Sequence, residues 1–144
     1  MDTWYEQYKT ANSYWTIGQV YMDENKIAYD VDLLIKVTKN HEVFEVDVDE
    51  LKSQLENNAW GLGRSVLSPK DVLNNPDKNK ENKKHFKRIK KANLEKPILI
   101  REMDGEVIDG YHRLSRALLE NKSITSRKVT ENDLKQVKLT NFAR

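Results

Sequence analysis

The chain contains no cysteine. That absence removes disulfides, thiolate zinc sites and thiol catalysis before any motif is considered. Long apolar runs are missing too. The longest, Pro97-Ile98-Leu99-Ile100 and Val31-Asp32-Leu33-Leu34-Ile35, fall far short of the roughly 20 residues that a spanning helix needs. The opening Met1-Asp2-Thr3-Trp4 has neither the basic region nor the apolar stretch of a signal peptide, so cytoplasmic residence is the expectation. There is little charge of one sign: 25 basic and 23 acidic residues leave a net +2, and the global field therefore argues for no particular partner. Internal repeats and low-complexity tracts are absent apart from a lysine-asparagine bias.

What is present suits one soluble domain. The 144 residues are 38% hydrophobic and 33% charged, with a mean hydropathy of -0.82, and a chain of this length builds one core. Trp4, Tyr5, Tyr8, Tyr14 and Trp15 recur at spacings that predict an aromatic N-terminal helix. Ile27 to Thr38 reads equally as buried strand or helical turn. From Val43, the alternation of Phe44, Val46 and Val48 with Glu45, Asp47 and Asp49 predicts a half-buried strand. A helix then follows with Leu51 and Leu55 inward, capped by Asp47 or Asp49. Trp60 anchors a loop over 57–67 that contains Gly61 and Gly63.

Ser68-Pro69-Lys70-Asp71 carries the marks of a helix start, with Ser68 as N-cap, Pro69 in the first turn and Asp71 completing a capping box. Asn75-Pro76 stops that helix. The lysine-dense run to Lys91 predicts a surface helix with Phe86, Ile89 and Ala92 as a narrow apolar stripe. Pro97 to Arg101, Asp104-Gly105 and Glu106 to Ile108 form a hairpin, followed by a helix from Tyr111 with Leu114, Ala117 and Leu118 inward. A strand over Ile124 to Val129 and a Thr130-capped helix burying Leu134 and Val137 complete the chain. The expected class is α/β (α+β), a small mixed sheet flanked by helices.

The densest cluster of reactive groups is Asp109-Gly110-Tyr111-His112-Arg113, where a strand ends and a helix begins. First-turn N–H groups have no intrahelical acceptor, and the helix dipole adds positive potential, so an anion is stabilised there. Gly110 permits the sharp turn and close approach. Arg113 can bind bidentately, and His112 can donate or move a proton. Asp109 is awkward beside phosphate unless it holds magnesium, contacts a ribose hydroxyl, or is neutralised by Arg113 or Arg116. The plainer alternative is a polar corner in which Asp109 caps the helix and pairs with Arg113.

Val107-Ile108-Asp109-Gly110-Tyr111-His112-Arg113-Leu114, followed by Ala117, resembles the signature of the ParB/sulfiredoxin-like superfamily, whose members include ParB, sulfiredoxin and free serine kinase. The resemblance spans roughly residues 43–139. It makes residues 41–144 the domain and residues 1–40 an extension that packs on or prolongs it. It implies a nucleotide phosphate site for ATP, ADP or CTP, with Gly110, His112 and Arg113 as the phosphate contacts; Tyr111 and Arg116 join them as candidate contacts from the turn itself, with Mg2+ at Asp109. Sulfiredoxin chemistry does not carry over, because Tyr111 stands where that enzyme has its cysteine. ParB's version has two arginines after a glycine-glutamate pair, so His112 departs from it. Free serine kinase uses an acidic base near its first strand and helix, a region that here holds Glu45, Asp47, Asp49 and Glu50. Asp109, His112 and Glu50 are thus the candidate catalytic residues of a phosphotransferase or nucleotidase.

Two other classes compete with this one. Lys83, Lys84, Lys87, Arg88, Lys90 and Lys91 could track DNA or RNA phosphates, against the plainer reading of a solvated helix face. The aromatic N-terminus could engage a protein partner or a second copy of the chain. His41 and His85 read as ordinary surface histidines, since no spacing joins them to His112 as a metal trio.

Overall fold

The structure, a computed structural model, describes residues 19–60 and 67–139. The expected aromatic helix around Trp4 to Trp15, and Gly61 and Gly63, lie outside these residues. Within them the chain is a mixed α+β fold: a two-stranded and a four-stranded sheet with helices flanking the larger one.

The stretch that read equally as strand or helix contains both. Strands β1 (Val20–Met22) and β2 (Ala28–Asp30) pair antiparallel, and Asp30 then caps α1 (Val31–Val37) by accepting from the Leu33 N–H at 3.1 Å. Strand β3 (Val43–Val46) leads into a 3-10 helix over Val48–Glu56, capped by Asp47. The expected helix is therefore of the tighter kind, and Leu51 and Leu55 are still buried. The alternation expected here holds at Val46 and Val48, half-buried against the core with Glu45, Asp47 and Asp49 exposed, but Phe44, like Val43, is exposed on this edge strand. Phe44 instead lies under the Lys128 ammonium, 4.6 Å from its ring centroid.

Helix α2 (Pro69–Asn74) begins with the full Ser68/Asp71 capping box, and α5 (Glu131–Gln136) with that of Thr130/Asp133. Between them lie α3 (Lys80–Lys91), the hairpin of β4 (Ile98–Arg101) and β5 (Val107–Asp109), α4 (Tyr111–Glu120) and β6 (Ile124–Val129). The larger sheet has the order β3-β6-β4-β5, with β4 and β6 parallel and the other pairs antiparallel.

Alternation along the strands loads both faces of this sheet. Leu99, Ile108 and Val129 pack with Tyr21, Tyr29, Val31, Leu34, Leu134 and Val137. Ile98, Val107 and Ile124 pack on the other face with Leu51, Leu55, Leu114 and Ala117. Residues 19–37 thus share a core with the sheet, and the Asp30 N–H donates to the Val137 carbonyl at 3.0 Å. His41 is not an ordinary surface histidine: its Nε2 bonds both carboxylate oxygens of Asp133, at 3.1 and 3.0 Å.

Gly110 joins β5 to α4 with φ +115, and a Cβ there would stand 2.4 Å from Ile98 Cγ2. The missing side chain thus lets the helix start seat against β4. Gly105, in the hairpin turn at φ +80, meets nothing within 4 Å. Gly110→Ala should therefore cost about 3 kcal/mol, combining left-handed strain with overpacking, and Gly105→Ala about 1 kcal/mol from strain alone. Urea unfolding of the two variants checks the contrast.

Candidate functional site

Where β5 ends, Asp109 and Arg113 are both 8% exposed, and Arg113 Nη2 donates to Asp109 Oδ2 at 2.9 Å. Arg113 Nη1 donates to the carbonyls of Lys96 at 3.2 Å and Pro97 at 2.7 Å. The guanidinium is turned into the fold, where both terminal nitrogens are bonded, and it also borders the cleft described below. Arg113 thus braces the frame of the site, and the plainer pairing of Asp109 with Arg113 is observed. That pairing also resolves the awkwardness of Asp109, since its charge is neutralised within the protein.

One oxygen of the Asp109 carboxylate, Oδ2, is thereby engaged, and Asp109 borders the cleft described below. Among the described residues no group of three or more His, Asp or Glu side chains is placed to hold a metal ion. Glu50 is exposed on the 3-10 helix and does not line the cleft described below. Arg116 points away as well: its Nε donates to Glu120 and its Nη1 to the Ala92 carbonyl, pinning the end of α3. Tyr111 is half-buried, its hydroxyl accepting from Asn57 Nδ2 at 3.2 Å; burial raises the phenol pKa.

At the start of α4 a cleft of about 570 Å³ opens, lined by Gly110, Tyr111 and His112 together with Trp60, His85 and Arg88. Such a volume suits a small molecule. Gly110 supplies no side-chain cap, and the first intrahelical bond runs from the Leu114 N–H to the Gly110 carbonyl at 2.9 Å. The N–H groups of Tyr111, His112 and Arg113 therefore lack intrahelical acceptors. Every other helix of the described residues has a side-chain cap, from Asp30, Asp47, Ser68, Asn79 or Thr130.

His85 Nδ1 lies 3.0 Å from His112 Nε2, with the ring planes only 15° apart. One imidazole donates and the other accepts. Trp60 stacks on both rings, at 4.5 Å and 4° from His85 and at 4.2 Å and 17° from His112. The Trp60 backbone N–H donates to the Leu67 carbonyl at 3.2 Å. Burial, followed by the fields of His85, Arg88 and Arg113, lowers the His112 pKa to about 4, and burial with Arg88 lowers that of His85. Both rings are neutral at pH 7, so His112 serves as a hydrogen-bonding group there and not as an acid.

His85 and Trp60 were not legible as site residues. His85 shares a helical stripe with Asn82 and Ile89; Ile89 is buried as expected, while Asn82 and His85 take the inward places expected for Phe86 and Ala92. That 82/85/89 spacing is the signal that could have placed His85 inward. Lys83, Lys84, Lys87, Arg88, Lys90 and Lys91 are exposed on the remaining circumference, and none is ion-paired among the described residues.

No protein-family model, curated protein or solved structure matches this chain.

The lowered histidine pKa values carry a sign. The unfolded chain, whose histidines titrate near 6.5, binds more protons than the folded one between about pH 6.5 and 4, so stability falls as pH falls through that window. Allowing for partial exposure of the rings, the loss attributable to His112 should be roughly 1–2 kcal/mol. Urea unfolding of wild type and His112→Asn at pH 7 and 4.5 should show a markedly shallower acid loss in the variant.

Proposed function

We propose that this protein binds the phosphate groups of a nucleotide in the cleft at the start of α4. The observation that carries the reading is the uncapped N-terminus of α4 opening on a cleft edged by the exposed Arg88. Free first-turn amides and the positive end of the dipole favour an anion, and a guanidinium adds a bidentate partner. The neutral histidine pair supplies a further hydrogen-bond donor without requiring a proton from solution.

The ParB/sulfiredoxin-like resemblance of residues 107–117 supports the same ligand class, with the cation drawn from α3 instead of the motif's own Arg113. We do not extend the proposal to phosphotransfer or hydrolysis. Glu50 does not line the cleft; Asp109, which does, is paired with Arg113, and Glu106, also in the lining, accepts from the Tyr21 hydroxyl at 2.5 Å and pairs with Arg101 at 3.2 Å. A free carboxylate base of the kind such chemistry uses is thus not supplied by the expected residues.

Calorimetric titration with ATP, ADP, CTP and GTP tests the proposal. Arg88→Ala should weaken binding about tenfold or more, equivalent to about 1.4 kcal/mol, with the unfolding midpoint unchanged. Arg113→Ala should instead destabilise the fold by about 3–5 kcal/mol, because it leaves the Asp109 carboxylate buried and unpaired. Failure of the wild type to bind any of the four nucleotides, or an unchanged affinity in Arg88→Ala, would contradict it.

A further inference from the structure

We infer that the phosphate bound in this cleft belongs to a single-stranded polynucleotide, whose backbone continues over the exposed basic face of α3 while one base lies against Trp60. The inference rests on the phosphate reading of the cleft and specifies the ligand.

Charge segregation is the first argument. Helix α3 holds seven of the chain's 25 basic residues and one of its 23 acidic residues, Glu81, so the remainder of the protein is net negative. A solvated helix face ordinarily interleaves both signs, whereas a cationic stripe on an otherwise acidic protein is the footprint of a polyanion site. None of these cations is offset by an ion pair among the described residues.

Continuity is the second. Arg88 lines the cleft and also belongs to the stripe. At 3.6 residues per turn it stands about 60° round the helix from the inward His85, and Lys84, Lys91 and Lys87 follow in that order away from the cleft. A backbone leaving the cleft past Arg88 therefore meets successive cations, with Glu81, the one acid of the helix, about 40° from His85 on the same side and one turn nearer the N-terminus.

The third is the aromatic surface. Trp60 is partly exposed, and its plane is set by stacking on two nearly coplanar imidazoles. A pre-set indole beside a cationic track is what recognition of unpaired bases uses, because every base offers a π face. A cleft of about 570 Å³ admits one nucleotide unit and not a duplex. The observations thus favour a strand over a double helix.

Fluorescence anisotropy of a short 5′-phosphorylated oligothymidylate, run beside ADP at matched salt, tests this. The oligonucleotide should bind at least about tenfold tighter than ADP. Its log K against log salt should have a slope of about -3, from about -0.7 for each of the contacts at Lys84, Lys87, Arg88 and Lys91. The double variant Lys87→Gln with Lys91→Gln should reduce that slope by about half and leave ADP binding unchanged. Trp60→Ala should weaken the oligonucleotide about tenfold without altering the slope, and Trp60→Phe should restore most of the loss.

Equal affinity for a blunt duplex or for heparin, or an unchanged slope in the double variant, would overturn the inference. If ADP binds and the oligonucleotide binds no tighter, the strand falls and the phosphate reading stands. If neither ligand binds, both fall.

Discussion

The Arg113 guanidinium holds together the three chain segments on which the candidate site is built. It reaches the Lys96 and Pro97 carbonyls at the entry to β4, the Asp109 carboxylate at the end of β5, and belongs itself to the first turn of α4. Directly beside it, the absent side chain of Gly110 lets the turn close on Ile98. Arginine suits this role because its planar fork serves several acceptors at once and it keeps its charge when buried. Lysine could satisfy only part of the set. The direction in which α4 presents its first-turn amides follows from this one buried pair.

Recognition is displaced by that arrangement. Asp109 and Arg113, the residues whose charges most strongly suggest ligand chemistry, are occupied with each other. The cleft is instead furnished by uncapped amides, a neutral pair of imidazoles and a guanidinium from a different helix. The proposed anion binding draws on dipoles and one exposed cation. The stacked Trp60 keeps His85 and His112 in a partly dehydrated setting, which holds their pKa values down and keeps the pair neutral at pH 7. In the proposed reading, anion binding at neutral pH rests on fixed donors and Arg88, not on histidine protonation.

Much of the frame was legible because its signals are local. Ser68 with Asp71 and Thr130 with Asp133 close capping boxes within four residues, and Asp104-Gly105 turns a hairpin whose strands follow immediately. The strand-turn-helix of residues 107–117 was legible for the same reason. Less legible was everything decided by the direction of a long side chain. Arg113 and Arg116 occupy neighbouring turns of α4, yet one reaches β4 and the other the end of α3. His85 was misjudged because lysines flank it, although its phase matches Asn82 and Ile89. Trp60 reaches both histidines across large sequence separations that no local pattern encodes. The edge position of β3, which exposes Phe44, likewise depends on strand order and not on the strand's own alternation.

The central claim is that the first-turn amides of α4 receive an anion. Backbone amide chemical shifts followed during titration with ADP address it at atomic resolution. The account predicts the largest changes at Tyr111, His112 and Arg113, accompanied by the Trp60 indole resonance. Changes that spare those amides, or that are confined to the lysines of α3, would contradict it.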